Sequence, residues 1–282
     1  MIEKIYEFLY KNLLGKDVYK YQLVKKVHDF MSRKIRLKIV EIEGLKFYSV
    51  VENISQMHIQ NLPETEFCKK EINLGDTVID IGANIGYFTL IFAKLVGKTG
   101  KVISFEPDPR SFKILEKNVE LNGFQNVELI NKAVSNQNKK VKLFMNTGDT
   151  QGSSLKQTEY NKEFHEVEAV SLDNCLEKDE EIKFIKIDVE GVEKEIIEGG
   201  KETLLRNKNI VLITEIAGYY LSKNNIDEWY TTLLNNLNFK LLYYSDKNIG
   251  KSKIIPIDYE KFKKILDTQE KFIFNLIWKN NI

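Results

Sequence analysis

Cysteine is scarce in this 282-residue chain: Cys68 and Cys175 stand alone, far apart, with no second Cys or His at metal-ligand spacing. That excludes a disulfide framework and a zinc-finger pattern, and predicts two inert thiols in a reducing compartment. Proline is limited to four residues, and no Pro/Gly/Ser-rich linker or internal repeat divides the chain. No apolar run reaches the roughly 18 to 20 residues a membrane-spanning helix needs. The longest greasy segment, IVLITEIAGYYL, is broken by Glu215, and the first ten residues carry Glu3, Lys4 and Glu7. A secretory signal is therefore not expected, and a cytoplasmic setting is. Excess charge is lacking too: 42 basic residues face 41 acidic ones. A net charge of +1 gives no global field for a polyanion, so nucleic acid is not an expected partner.

What the chain does have is pattern. Residues 1–36 show helical spacing of Ile5, Phe8, Leu9 and Leu13, then of Leu23, Val24, Val27, Phe30 and Met31. The first 40 residues carry ten Lys or Arg against four Asp or Glu. A basic amphipathic helix suits a membrane surface or glycolipid, and equally a cap on the main domain. A hairpin follows over 37–51 around Gly44, then two helical segments before Gly75. These divisions predict an appendage over 1–63 and a main domain over 64–282.

From Asp76 strand-like and helical stretches alternate. Strands are expected at 77–81, 101–106, 127–134, 184–189 and 210–216, and helices at 87–96, 111–122, 192–206 and 226–236. Two more strands, 140–146 and 165–172, flank a polar loop holding Gly148, Asp149 and Gly152, expected to close over a substrate. Segments 239–244 and 272–278 supply the last strands. The alternation predicts an α/β fold, a mostly parallel seven-stranded sheet with helices on both faces. Ligands bind such sheets beyond the carboxyl ends of the strands, where the strand order reverses.

The densest stretch is GDTVIDIGANIGYFTLIFAKLVGKTGKVISFEPDP, residues 75–109. Asp80 closes a strand, and Gly82, Ala83, Asn84, Ile85 and Gly86 turn into the helix begun by Tyr87. Gly82 allows close approach of backbone to ligand, Asn84 tolerates left-handed geometry, and Gly86 opens a helix whose amides suit an anionic group. Glu106, followed by Pro107, stands twenty residues after Gly86, where a carboxylate accepts ribose hydroxyls. A nicotinamide fingerprint would need glycine where Asn84 and Tyr87 stand. D-x-G-x-N-x-G has instead the shape of an S-adenosylmethionine site.

DIGANIGYFT (80–89), SFEPDP (104–109), VSLDNCL (170–176) and IKIDVEGVEKEIIEGG (185–200) together resemble the FkbM-type methyltransferases. The resemblance covers roughly residues 64–216. It implies a class I methyltransferase (Rossmann-like) fold and methyl transfer from S-adenosyl-L-methionine to a hydroxyl of a sugar, glycan or small natural product. It makes Asp80, Gly82, Asn84, Gly86 and Glu106 cofactor residues, and Asp188 and Glu190 active-site residues. Val192 departs from the family pattern, which has a small residue such as Ala there.

Asp188 ends one strand and Glu215 sits in the next, so both can face the same crevice, with Glu190 two residues on. Three roles are open: binding the cofactor's ammonium or acceptor hydroxyls, acting as base, or holding a divalent cation. His165, beside the long loop, is the best placed of the three histidines as a base, ahead of His28 and His58. Tyr219 and Tyr220 could stack on a flat acceptor. An RNA or protein methyltransferase is the first alternative, although the chain has no N-P-P-Y-type tetrapeptide. A non-catalytic module that keeps the cradle is the second.

Overall fold

The central strands of this protein are buried almost end to end, as strands covered on both faces are. The structure is a computed structural model that describes residues 38–49, 51–144, 153–155, 157, 163–189, 191–217, 223–246, 253–268 and 272–280, and only the backbone at 51–60, 223–225, 227, 234 and 246. Residues 1–36, most of the loop after 144, Glu190, Tyr219 and Tyr220 lie outside that set, so the amphipathic helix and aromatic pair read there do too.

Contacts divide the chain into two units, Met1–Ile59 and Gln60–Ile282. In the first, β1 (Lys38–Ile42) and β2 (Leu45–Ser49) form an antiparallel hairpin. Glu43 and Gly44 make its turn, both at positive φ (54° and 75°), as a tight hairpin turn requires. One helix follows, α1 (Val51–Glu71), where two segments were expected. Pro63 lies inside it and removes one backbone donor. The buried side chains of Glu64, Thr65 and Cys68 anchor the helix beyond it.

In the second unit, β3 (Thr77–Ile81), α2 (Tyr87–Val96), β4 (Lys101–Phe105), α3 (Pro109–Leu121) and β5 (Val127–Ile130) form the first half of a Rossmann-like sheet. The 127–134 stretch is not one strand. Asn131 turns its amide to the Glu106 carbonyl at 2.7 Å, and β6 (Ala133–Val134) joins a separate sheet. That sheet has the order β6-β8-β7, with β7 (Lys139–Phe144) antiparallel to β8 (Phe164–Val170). The short α4 (Leu172–Cys175) leads to β9 (Ile182–Ile187). The helix read over 192–206 is two pieces, α5 (Glu193–Gly199) and α6 (Lys201–Arg206), parted at Gly200. Then come β10 (Val211–Ala217), α7 (Lys223–Thr231) with a π-helical turn at Thr232–Asn236, β11 (Phe239–Asp246), β12 (Ile255–Pro256), α8 (Tyr259–Thr268) and β13 (Ile273–Asn280).

The main sheet runs β12-β11-β13-β10-β9-β3-β4-β5. It has eight strands, not seven; the extra one is the two-residue edge strand β12. Strands β5, β4, β3, β9 and β10 pair in parallel, and β13 enters antiparallel between β10 and β11. That is the strand arrangement of a class I methyltransferase. On one face Ile79, Ile81, Ile185, Ile187 and Leu212 pack with Ile196, Leu204, Trp229, Phe262 and Trp278 in one buried cluster. Each such side chain contributes about 1.5–3 kcal/mol on burial. The other face carries Phe184, 5.5 Å from Phe92 of α2, and a row of polar residues. The order reverses between β3 and β9, so their carboxyl ends open the crevice. No helix among the described residues is long and apolar enough to cross a membrane. Cys68 is buried and Cys175 half-buried, both free, with burial pushing each thiol up.

Candidate active site

The crevice is built from the turn after β3. Gly82 has φ +80°, and its amide and that of Ala83 both donate to the Phe105 carbonyl at 3.0 Å. A Cβ on Gly82 would stand 2.0 Å from the backbone oxygen of Asp188, so no other residue fits. Asn84 takes the left-handed conformation expected of it, φ 51°. Its amide donates to Glu106 Oε2 at 2.7 Å. Gly86, φ +94°, precedes α2, and no acidic residue lies in that helix's first turn. Gly86 itself offers no capping side chain, and the Asp80 carboxylate serves the first turn through Thr89. Asn118 of α3 steadies the turn by donating to the Ile85 carbonyl at 2.7 Å.

Glu106 is 6% exposed, and its second oxygen accepts the Asp108 amide at 2.8 Å. Burial pushes its carboxyl up to about 8, against the pull of those two amide hydrogen bonds. Pro107 is half-buried beside it. Asp108 caps α3, accepting the Arg110 amide at 2.9 Å and the Arg110 guanidinium at 2.7 Å. Burial raises the Asp108 carboxyl, but the bonds from Arg110 and from Ser153 hold it below its ordinary value. Ser153 Oγ donates to Asp108 at 2.9 Å, so the middle of the segment between β7 and β8 docks beside Asp108.

Asp80 is buried (1% exposed) and accepts the Thr89 hydroxyl at 2.6 Å. Burial raises its carboxyl, while Lys186 and Thr89 oppose the rise. Tyr87 turns its side chain into the core, its hydroxyl 3.4 Å from that of Thr65. Any part it takes in the cradle is through its backbone.

Asp188 follows β9, its amide bonded to the Ile81 carbonyl at 2.9 Å and its carboxylate to Lys186 Nζ at 2.5 Å. Glu215, half-buried on β10, pairs in register with Asn275 of β13, which pairs with Ser245 of β11. The register of β10 on β9, Thr214 opposite Ile187, sets Glu215 beside Asp188 at the carboxyl ends of adjacent strands. Glu190 lies outside the described residues. Among those described, no three His, Cys, Asp or Glu side chains converge in a metal-binding group. His165 is not brought to Asp188 and Glu215: it is exposed on β8, paired with Leu143 in the separate sheet. That end of β8 leads through Phe144 and Ser154 toward Asp108.

Two groups of residues escaped sequence reasoning. Lys186 is buried within β9, facing Asp80 across the sheet, and a lysine in the apolar run IKFIKI was its visible signal. Glu64 of α1, 1% exposed, accepts the Ser245 hydroxyl and the Asn275 amide (2.9 Å). No local signal marks that set, because its members are some 180 to 210 residues apart.

Known proteins are similar to this chain. A protein-L-isoaspartate O-methyltransferase of Methanococcus maripaludis is 29% identical over 79 residues, 28% of this chain and 36% of its own length. The chain thus spans about a third of that relative. The 2-O-methyltransferase NoeI of Sinorhizobium fredii is 30% identical over 150 residues, 47% of this chain and 60% of its own. The crystal structure of methyltransferase FkbM from Methylobacillus flagellatus is 12% identical, covering 93% of this chain and 60% of that one, with a TM-score of 0.45. The family model described as "Methyltransferase FkbM domain" matches residues 80–241, from the end of β3 into β11. That span holds the glycine turn, Glu106, Asp188 and Glu215, and the chain belongs to the FkbM methyltransferase family.

Proposed function

We propose that this protein transfers a methyl group from S-adenosyl-L-methionine to a hydroxyl oxygen of a sugar, glycan or small natural product. The observation that carries the reading is Glu106, a buried carboxylate fixed by two backbone amides beside the glycine turn that opens α2. The residues present fit that cofactor. Asp80 Oδ1 and Asn84 Oδ1 are buried without a hydrogen-bond partner, and bare backbone at Gly82 permits close approach. Glu106 would hold the ribose hydroxyls, with Pro107 beside it. Asp80, Gly82, Ala83, Asn84, Gly86 and the Tyr87 backbone would surround the amino-acid tail. Bound there, the cofactor supplies an electrophilic methyl group on a sulfonium.

The chain's own residues supply alignment and proton handling. Asp188 and Glu215 offer carboxylates at the ends of adjacent strands, where one can orient the acceptor hydroxyl and receive its proton as the new bond forms. The hydroxyl acceptor draws support from NoeI, described as a 2-O-methyltransferase. A small acceptor suits the net charge of +1 better than RNA does. A cytoplasmic setting suits the two free thiols.

Calorimetric titration of S-adenosylmethionine and S-adenosylhomocysteine into wild type and Glu106→Ala tests the cradle. Binding to wild type in the micromolar range that collapses in the variant is the expected result, followed by an acceptor screen beginning with hydroxylated sugars. Failure of folded wild type to bind either ligand would sink the proposal.

A further inference from the structure

Lys186 is the one lysine among the described residues that is buried, at 4% exposure, in a strand made otherwise of Ile182, Phe184, Ile185 and Ile187 and the half-buried Lys183. An ammonium in such a place is costly unless it is paired. In register it faces Asp80 on β3 and Ile213 on β10, so it stands directly under the point where the strand order reverses. Its Nζ donates to Asp188 Oδ2 at 2.5 Å and lies 4.6 Å from the centre of the Phe88 ring. Phe88 belongs to α2, so the face of its ring closes the ammonium from the helix side. Asp188 in turn is pressed against the glycine turn: its amide bonds Ile81, and its backbone oxygen occupies the space a Gly82 side chain would need.

We infer that Lys186 is a positioning residue, holding the Asp188 carboxylate charged and aimed at the glycine turn as the seat for the ammonium of the cofactor's amino-acid tail. The inference rests on the cofactor reading above. Its charge logic is simple. Asp80 and Asp188 face a single ammonium, which leaves the cluster short of one positive charge. Burial is the main cause that raises the Asp80 carboxyl, and the Asp188 charge adds to it. An incoming α-ammonium supplies the missing charge. With Asp188 engaged in this way, Glu215 on the adjacent strand is the carboxylate left to meet the acceptor hydroxyl.

The test compares two ligands that share the adenosine and thioether but differ in the tail. S-adenosylhomocysteine carries the ammonium and carboxylate; 5′-methylthioadenosine lacks both. Calorimetry on Lys186→Met should show S-adenosylhomocysteine binding weakened by at least about tenfold, the loss expected for a charge-assisted hydrogen bond. Binding of 5′-methylthioadenosine should stay within about twofold of wild type, which a merely structural role would not spare. Asp188→Asn should reproduce that split, and adding Lys186→Met to it should cost little more, since the lysine acts through the aspartate. Equal weakening of both ligands, or additive losses in the double variant, overturns the inference while leaving the cradle intact. If Lys186→Met does not fold, Asp188→Asn decides alone: a loss confined to S-adenosylhomocysteine upholds the seat, and an unchanged affinity removes it. Wild type that binds neither ligand overturns the cofactor reading, and this inference with it.

Discussion

Glu106 concentrates the chemistry of the site into one side chain. Its folded value of about 8 stands above the ordinary carboxyl value of 4.5, so the native state holds the proton more tightly than the unfolded chain. The stability this confers is fully present below about 4.5 and is lost as pH rises toward 8. Ionising Glu106 thus costs the empty protein on the order of a few kcal/mol by pH 8.5. Glu106→Gln cannot ionise, so its melting temperature relative to wild type should climb between pH 5.5 and 8.5; a pH-independent difference would show that burial does not strain this carboxyl. The residue was legible in the sequence because its distance from Gly86 is a local fact. Its two amide partners were not, since Asn84 meets it only after β3 and β4 pair. Lys186 was visible as an oddity in an apolar strand, yet its meaning depends on Asp80, over a hundred residues away. His165 shows the opposite case: proximity to a loop in sequence placed it near an acceptor, and strand pairing leaves it exposed on a different sheet.

At the scale of elements, the unit from β3 to α3 follows its local pattern closely. TVIDI is β3 and residues 87–96 are α2 as expected, because each combines a clear period with a glycine or cap at its boundary. Elements went astray where a side-chain bond or a glycine overrides the pattern. Asn131 ends β5 by bonding the Glu106 carbonyl, and Gly200 parts α5 from α6. Helix α8 was not foreseen, although Phe262 and Leu266 mark its buried stripe. Helix α1 is tied to the last strands through Glu64, whose Oε1 serves both Ser245 of β11 and Asn275 of β13. Glu64→Ala leaves both donors buried without that acceptor and should cost about 1–3 kcal/mol. A lower urea midpoint with an unchanged m value would confirm it, and Glu64→Gln, which keeps an acceptor, should lose less.

For the molecule as a whole, the cradle joins α2, α3, β4 and β9 around one turn, so a ligand there should stabilise all of them together. S-adenosylhomocysteine at a hundred times its Kd should add about 2.7 kcal/mol, a rise of roughly 5–10 °C in melting temperature. The rise should vanish in Glu106→Ala; a shift that persists would move the ligand to another site. The sequence by itself determined the α/β alternation, the glycine turn, the acid at the end of β4 and the family, because each is written in short segments that can be read one at a time. Tertiary structure alone decided the strand order, the eighth strand, the separate sheet that carries His165, and the pairing of Lys186 with Asp80 and Asp188. Those depend on which strands lie side by side, and hydrogen bonding between distant segments sets that choice while local periodicity is silent about it.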